Sequence, residues 1–327
     1  MRIFRTLQEV PADLGPSIVT VGNFDGVHCG HRQVLQEVVR RAGESHARAV
    51  AVTFQPHPLQ ILRPQAAPRL ITPPGRKEAL LAQTGLDALV VIPFSLEFSR
   101  TTPAEFARNI LAGKLRAIEV HEGENFHFGH KARGTTAQLS ELGGEFGFSV
   151  KSYPVMMLRG CPVSSSEVRR LLSAGQVSRA RHLLGRVFNI VAGVERGRGY
   201  GHKYTVPTIN LAQYDELVPA HGVYVTRTRI GEETFNSVTN VGTRPTFGEA
   251  SFAIESHLLD FHPLDITPQT EVETSFLYWL RREIKFPSVE ALKQQIGKDV
   301  KRAQRYFRLS PKPESTTETQ RHGGRPR

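Results

Sequence analysis

The chain has 327 residues, of which 39% are hydrophobic, so it is long enough to bury two cores of ordinary domain size. No apolar run approaches the roughly 20 residues of a membrane-spanning helix, and the N-terminus lacks a signal-peptide pattern. The two cysteines, Cys29 and Cys161, lie far apart and form no Cys-x-x-Cys motif. These features exclude membrane-embedded and disulfide-stapled classes and predict a cytoplasmic protein without a membrane partner.

The formal charge is +11, from 42 basic and 31 acidic residues. Such an excess attracts phosphate groups of any kind, including those of nucleic acid. The basic residues are scattered and are not interleaved with aromatic ones, as they are in proteins that stack single strands. A polyphosphate substrate explains the charge equally well, so we predict no dedicated nucleic-acid partner and leave the oligomeric state open.

The most informative stretch joins an apolar strand, Ile18–Val21, to a helix predicted from about His28 to Ala42. The unpaired amides of a helix N-terminus favour a bound phosphate, and Gly30 lets the backbone approach closely. His28 and His31 share one helix face, where their rings can donate hydrogen bonds to phosphate oxygens. Ordinary surface histidines or a zinc pair remain as alternatives, although no third ligand lies in a recognisable metal pattern.

Up to residue 153, apolar runs alternate with helical patterns, which predicts a doubly wound parallel α/β sheet. The predicted strands are Ile18–Val21, Ala49–Phe54, Leu89–Ile92, Ile118–Val120 and Ser149–Tyr153. The predicted helices lie near His31–Arg41, Gly75–Gln83, Pro103–Leu111 and Thr135–Leu142. Ligands of such sheets gather at the carboxyl ends of the strands, where we expect the polar residues that follow each strand to meet.

A second candidate segment follows the fourth predicted strand. The amide of Asn125 can hydrogen-bond a base or a phosphate. Phe126 and Phe128 can cover an aromatic ring, although a phenylalanine pair near a strand end is also ordinary core.

A third candidate segment opens a helix that continues to Leu172. The hydroxyls of Ser164 and Ser165 and the guanidinium of Arg169 can hold a phosphate at its N-terminus. Serine also caps helices, and from the residues alone capping is the commoner use.

After about residue 185 the pattern changes to short apolar or β-branched runs separated by Gly, Pro and Asn, which predicts a small antiparallel β-barrel. A helix within Pro287–Phe307 follows it, and the residues from about 310 lack apolar side chains, which predicts a disordered basic tail. The predicted domains are therefore 1–184, 185–309 and 310–327. The predicted barrel strands are Phe188–Val191, Val223–Thr228, Ser237–Val241, Phe252–Leu259 and Thr274–Leu280.

Three polar residues of the barrel suggest phosphoryl-transfer chemistry. Thr208 and Asn210 lie two residues apart, so both point to one face of an extended strand, and their oxygens suit Mg²⁺ beside ATP phosphates. Glu255 can take the proton from a hydroxyl that attacks a γ-phosphoryl group. Strand-edge hydrogen bonds and an acid on the wet face of a barrel remain the plain alternatives.

The N-terminal motifs resemble those of the bacterial bifunctional riboflavin kinase and FAD synthetase family. The shared elements, in the family's order, are Gly-Asn-Phe-Asp-Gly-Val-His-x-Gly-His, Pro56-His57-Pro58, Gly-x-Asn-Phe-x-Phe-Gly and Ser-Ser-Ser-x-Val-Arg. The resemblance implies adenylyl transfer from ATP to FMN, which releases pyrophosphate and yields FAD, with His28 and His31 stabilising the ATP phosphates. The binding residues that it implies are Gly22, Asn23, Phe24, Asp25 and Gly30 around the nucleotide, Ser164, Ser165 and Arg169 around phosphate, and Asn125, Phe126 and Phe128 around the flavin or other bound substrate.

The barrel region resembles the riboflavin kinase module of the same family, through Pro-Thr-x-Asn, Gly-Val-Tyr, the run from Asn240 to Phe247, Glu-x-His and Leu-Arg-Arg-Glu. The resemblance implies phosphorylation of riboflavin to FMN, with Thr208 and Asn210 on the magnesium nucleotide and Glu255 as base. The loop before Thr208 is longer than in the family, and the family's Asp-x-Tyr-Gly is absent. Our leading hypothesis is an enzyme with both activities; the alternatives are one retained activity, or a flavin- or nucleic-acid-binding regulator on the same fold.

Overall fold

The computed structural model describes residues 1–195, 208–244, 251–262, 264, 267 and 270–310, and residues 243, 244, 251 and 252 are described by their backbone alone. The chain forms two compact units. Unit 1 comprises Met1–Phe188 and Tyr214–Ala220, and unit 2 comprises Asn189–Gln213 and the residues from His221 onward. In the described ranges, no helix is both long enough and apolar enough to span a membrane.

Unit 1 contains a six-stranded parallel sheet. Its strands are β1 (Arg2–Phe4), β2 (Ser17–Val21), β3 (Arg48–Gln55), β4 (Ala88–Pro93), β5 (Ala117–Gly123) and β6 (Ser149–Tyr153), in the spatial order β1-β4-β3-β2-β5-β6. In the register, Val19 lies opposite Val50 on one side and Val120 on the other. Every residue of β2 is buried, as expected for a strand covered by helices on both faces.

Helices connect these strands. They are α1 (Cys29–Glu44), α2 (Pro58–Leu62), α3 (Pro74–Ala82), α4 (Pro103–Glu105, continuing in wider turns over Phe106–Lys114), α5 (Thr136–Phe146), α6 (Ser165–Ser173) and α7 (Val177–Leu184). Two hydrophobic clusters cover opposite faces of the sheet, one around Ile18, Leu35 and Leu81, the other around Val19 and Leu111. This doubly wound architecture confirms the predicted fold class of the N-terminal region.

The predicted division at residue 184 differs from the structure at two places. The units separate at Phe188, and Tyr214–Ala220 belongs to unit 1 although the sequence pattern assigned it to the barrel. Backbone hydrogen bonds explain this placement, because the N–H of Leu217 donates to the carbonyl of Leu70 at 2.9 Å. No local pattern of the segment signals such a distant partner.

Unit 2 contains a curled antiparallel sheet. Its strands, in the spatial order β7-β13-β10-β11-β12-β9-β8, are β7 (Phe188–Ala192), β8 (Val194–Glu195), β9 (Thr208–Leu211), β10 (Gly222–Ile230), β11 (Glu233–Arg244), β12 (Ser251–Leu258) and β13 (Val272–Arg282). Helix α8 (Val289–Leu309) follows, with Ser288 capping its first turn. The predicted small antiparallel barrel with a C-terminal helix is confirmed, and the sheet curls into a half-barrel.

The predicted disordered tail lies outside the described residues from 311 onward. The same holds for residues 196–207, which contain the longer loop, and for Pro245, Thr246 and Phe247 of the resemblance. Part of the segment that replaces Asp-x-Tyr-Gly is also outside them.

Candidate active sites

The two histidines of the first motif form a stacked pair at the start of α1. The ring centroids of His28 and His31 lie 3.6 Å apart, with 15° between the planes. His28 is the N-cap residue, and its Nδ1 accepts a hydrogen bond from the backbone N–H of His31. The edge of the Phe24 ring contacts His31, at 5.3 Å between centroids. The loop therefore presents both rings at a helix N-terminus, where anions bind well.

Both rings are neutral near pH 7. Burial, followed by the charges of Arg186, Arg169 and Arg32, lowers the pKa of His28 to about 4. Burial and the neighbouring His28 hold the pKa of His31 well below its ordinary value. Because Nδ1 of His28 accepts a hydrogen bond, its proton lies on Nε2, and this N–H can donate to a phosphate oxygen.

Positive charge comes from basic side chains around the same junction. The Nζ of Lys77 donates to the carbonyl of Asn23 at 3.2 Å and to the hydroxyl of Thr53 at 3.1 Å. Arg186 donates to the carbonyl of Val27 at 3.2 Å. Burial and the charge of Arg32 lower the pKa of Arg186 to about 10, so it stays charged at neutral pH. These cations raise the positive potential where a polyphosphate would lie.

The side chain of Asp25 holds the loop in place through several hydrogen bonds. Its carboxylate is 4% exposed and accepts hydrogen bonds from the backbone N–H groups of Ile71, at 3.0 Å, and Thr72, at 3.1 Å. It also pairs with the guanidinium of Arg169. The structure thus places Asp25 and Arg169 together, each engaged with the other rather than pointing singly at a ligand.

The two predicted serines lie at the start of α6 beside this loop. The hydroxyl of Ser164 accepts a hydrogen bond from the backbone N–H of Glu167 at 3.2 Å, so it caps the helix. Ser165 donates to the carbonyl of Asp25 at 2.8 Å. The carbonyl of Val163 lies 3.5 Å from a Cβ built on Gly30, so the two helix N-termini approach each other there.

The backbone of the first motif turns sharply, and several of its residues are either glycine or adopt unusual backbone angles. A Cβ on Gly22 would lie 3.2 Å from the ring of Phe24, and Gly26 has a φ of +85°. Phe24 and Val27 adopt positive φ values of 47° and 38°, which side-chain-bearing residues rarely adopt. Both side chains are buried, and this anchoring holds the unusual backbone.

A cavity of about 140 Å³ lies next to the histidine pair's loop, within unit 1. It is bordered by Asn23 and Asp25, by the end of β3 and by Lys77. His57 of the Pro-His-Pro motif also borders it, and its Nδ1 caps α2 by accepting from the N–H of Leu59. Loops after β2 and β3 thus meet at the carboxyl edge of the sheet, as predicted for ligand sites in this fold.

The residues after β5 have mixed surroundings. Asn125 is exposed, whereas Phe128 is 7% exposed. The rings of Phe126 and Phe128 stack at 5.4 Å, and both pack against the core of unit 1. The amide lies on the surface and can meet a substrate, while Phe128 packs as ordinary core.

In unit 2, strand register brings the predicted kinase residues together. Asn210 of β9 lies directly opposite Glu255 of β12, and Asn240 of β11 lies opposite Glu255 from the other side. Side chains at such positions lie about 5 Å apart at Cβ. Thr208 is two residues before Asn210, on the same face, and opposite His257. The Asn-Glu-Asn row, defined as Asn210, Glu255 and Asn240, therefore crosses three neighbouring strands.

Comparisons with known proteins match both regions of the chain. The family model for FAD synthetase matches residues 10–167, and the model for riboflavin kinase matches residues 184–307. The bifunctional riboflavin kinase/FMN adenylyltransferase of Haemophilus influenzae is 32% identical over 94% of this chain and 99% of its own length. The bifunctional riboflavin kinase/FMN adenylyltransferase of Escherichia coli strain K12 is 31% identical over 90% of this chain and 93% of its own length.

The chain belongs to the bifunctional riboflavin kinase/FMN adenylyltransferase family. The enzyme therefore carries a FAD synthetase module followed by a riboflavin kinase module, which confirms the predicted family, order and bifunctional class. A solved Streptococcus pneumoniae structure described as a macrolide-efflux protein has a TM-score of 0.83 and 26% identity, covering 92% of the enzyme and 98% of that chain. This similarity supports the fold of the enzyme.

The structure adds residues that the motifs of the enzyme did not reveal. Lys77 lies within a predicted helix, and only the folding of α3 beside β3 brings its ammonium to Asn23. Arg186 follows α7, far along the chain from Val27. Asn240 belongs to a run that the resemblance included, but its position beside Glu255 follows from strand order. A basic residue in an amphipathic helix carries no local signal of its tertiary partner.

Proposed function

We propose that unit 1 transfers the adenylyl group of ATP to FMN at the histidine pair. A phosphate oxygen of FMN attacks the α-phosphorus of ATP, the bond to the β-phosphate oxygen breaks, and pyrophosphate leaves. The observation that carries this proposal is the stacked, neutral pair of His28 and His31 at the N-terminus of α1.

Each ring has a specific task in this proposal. The Nε2–H of His28 and a ring N–H of His31 donate to phosphate oxygens as charge builds up on the leaving pyrophosphate. Neutral rings suit this task, because a donor that keeps its proton stabilises charge without a proton-transfer step. Lys77, Arg169 and Arg186 supply the positive potential, and Asp25 holds Arg169 in place. Gly22, Asn23, Phe24 and Gly30 shape the backbone that surrounds the nucleotide, with Ser164 and Ser165 at the second helix N-terminus.

We assign riboflavin phosphorylation to the Asn-Glu-Asn row of unit 2. Glu255 accepts the proton of the riboflavin hydroxyl whose oxygen attacks the γ-phosphorus of ATP, and ADP leaves. The hydroxyl of Thr208 and the amide oxygen of Asn210 are hard donors beside a carboxylate, a set that fits Mg²⁺. When bound there, Mg²⁺ would neutralise phosphate charge.

One experiment tests both assignments. Full-length protein is incubated with riboflavin, Mg²⁺ and ATP, and the flavins are resolved by chromatography. We expect FMN followed by FAD. If FMN forms but FAD does not, the assignment of adenylyl transfer is wrong. If FAD forms from supplied FMN but no product forms from riboflavin, the assignment of the kinase is wrong. Flavin binding without either product would indicate a regulator.

Two variants assign each step to its residues. Glu255→Gln should abolish FMN formation and leave adenylylation of supplied FMN nearly unchanged, and His28→Ala should do the reverse. Loss of both activities in a folded variant would contradict separate sites. The substrates in this proposal are riboflavin, FMN and ATP. Flavin contacts by Asn125 and Phe126 stay a prediction, as do the cytoplasmic location and the lack of a nucleic-acid partner.

A further inference from the structure

The segment Tyr214–Ala220 lies inside the stretch that matches riboflavin kinase, residues 184–307, yet it is part of unit 1. The N–H of Leu217 donates to the carbonyl of Leu70, and the N–H of Ala220 donates to the carbonyl of Leu172 at 3.0 Å. The side chain of Leu217 is buried. These contacts fix the segment against the adenylyltransferase module, so its polar side chains lie on that module.

Glu216 brings a carboxylate from this segment to the 140 Å³ cavity, which Asn23 and Lys77 also border. Its Oε2 accepts a hydrogen bond from the backbone N–H of Leu70 at 3.2 Å. That contact orients the carboxylate, and the side chain is half-buried. A carboxylate here repels phosphate, so this part of the site suits an uncharged portion of a substrate.

Two buried oxygens nearby have no hydrogen-bond partner within the described ranges. One is the side-chain Oδ1 of Asn23, a residue that borders the same cavity, and the other is the hydroxyl of Tyr214, whose residue is 9% exposed. Burial, followed by the charges of Glu216 and Asp25, raises the pKa of the Tyr214 hydroxyl, which places that hydroxyl near both carboxylates. Buried polar atoms are normally paired, so these atoms indicate a place for a ligand or an ordered water.

We propose that Glu216, together with the Oδ1 of Asn23, accepts hydrogen bonds from vicinal hydroxyl groups of an adenylyltransferase substrate. Both groups are acceptors carried by residues that border the same cavity, and such acceptors match O–H donors. The inference rests on adenylyl transfer in unit 1. That reaction has two sources of vicinal hydroxyls, the ribose of ATP and the ribityl chain of FMN, and the phosphates of either substrate lie toward the histidine pair.

The test compares full-length wild type with Glu216→Ala and Glu216→Gln. Steady-state FAD formation gives KM for ATP at saturating FMN and KM for FMN at saturating ATP. We expect Glu216→Ala to raise one of these KM values about tenfold or more, as loss of a hydrogen bond to a charged group does, with kcat within about threefold. Glu216→Gln keeps an oxygen acceptor of the same shape and should lie between Ala and wild type.

Deoxynucleotides distinguish the two sources of hydroxyls. If the ribose of ATP is bound, wild type discriminates against 2′-deoxy-ATP or 3′-deoxy-ATP, and Glu216→Ala loses most of that discrimination. If the ribityl chain is bound, the KM for FMN rises and the deoxy penalty is the same in both proteins. Glu141→Gln removes an exposed carboxylate of the same unit and is the matched control, with both KM values unchanged.

The inference is overturned if both KM values of folded Glu216→Ala stay within about twofold of wild type. A fall in kcat and thermal stability without a change in KM would assign Glu216 a structural role, and selective loss of riboflavin phosphorylation would assign it to the kinase. Calorimetric titration of ATP and of FMN provides a readout without turnover. If wild type forms no FAD, the proposed reaction fails, while a weakened binding event in Glu216→Ala still supports the contact. Should the alanine variant not fold, the isosteric Glu216→Gln decides.

Discussion

His28 caps the helix on which His31 lies, through a 3.2 Å hydrogen bond from the N–H of His31 to the Nδ1 of His28. The same atom cannot then carry a proton, so the cap fixes the tautomer of the ring that we assign to catalysis. A single contact thus joins helix formation to the chemistry of the site. Stability and protonation of this junction are consequently coupled.

The first prediction concerns stability against pH. The folded-state pKa of His28, about 4, lies below its ordinary 6.5, so only the unfolded chain gains this proton as the pH falls from about 6.5 to 4. The contribution of neutral His28 to the free energy of unfolding is therefore fully present above about pH 6.5 and is lost as the pH falls to about 4. His28→Asn keeps a capping oxygen but does not titrate, so between pH 7 and 5 it should lose about 2 kcal/mol less unfolding free energy than wild type.

The measurement is urea unfolding of both proteins at the two pH values. His46→Asn removes an exposed histidine of the same unit and should behave as wild type. Equal losses in wild type and His28→Asn would show that burial of His28 does not exclude a proton.

The second prediction concerns Lys77. Its charge contributes to the low pKa of His31, and its ammonium holds the carbonyl of Asn23. Lys77→Met keeps much of the apolar stem but removes the charge, so kcat/KM for FAD formation should fall about 100-fold, with riboflavin phosphorylation unchanged. Lys151→Met, at an exposed position of β6, is the control and should leave both rates unchanged. An undiminished adenylylation rate in Lys77→Met would argue against an electrostatic role.

The third prediction separates capping from phosphate binding at Ser164. Ser164→Asp keeps the helix cap but places a negative charge at the phosphate site, so we expect wild-type thermal stability and a loss of FAD formation of about 10-fold or more. Ser288→Asp makes the same change at the cap of α8, where Ser288 accepts from the N–H of Ala291, and should leave both activities intact. If Ser164→Asp forms FAD at the wild-type rate, Ser164 serves the helix alone.

The fourth prediction concerns Asn240. Asn240→Asp places a second carboxylate directly opposite Glu255, and its charge repels the phosphates that must approach this row. The kcat/KM for riboflavin phosphorylation should fall about tenfold or more, while adenylylation of supplied FMN stays unchanged. Asn236→Asp makes the same substitution at an exposed position of β11 and should change neither rate. An undiminished kinase rate in Asn240→Asp would contradict the assignment of this row to phosphoryl transfer.

Local pattern was sufficient for much of the architecture. The apolar run Ile18–Val21 became part of β2, and the predicted helix from His28 to Ala42 corresponds to α1 at Cys29–Glu44. Periodicity works here because each element buries one continuous face, and that requirement is written into neighbouring residues. Strand β1 was missed, because three residues are too short to show a period.

Side-chain partnerships followed from sequence only where the partners are close along the chain. The histidine pair is one turn apart, and the face shared by Thr208 and Asn210 needs only an extended strand. Their proximity to Glu255 needed the order of β9, β12 and β11, and the pairing of Asp25 with Arg169 joins residues 144 positions apart.

Motif spacing and periodicity are local properties of the chain, so they were enough to predict the family, the two folds and the residue types that carry the chemistry. The charges around the histidines, the residues that align with Glu255 and the place of Glu216 in unit 1 became visible only in the folded chain. Burial and register depend on how distant segments pack. The neutral state of His28 is therefore a property of the fold, although the histidine itself is visible in the motif.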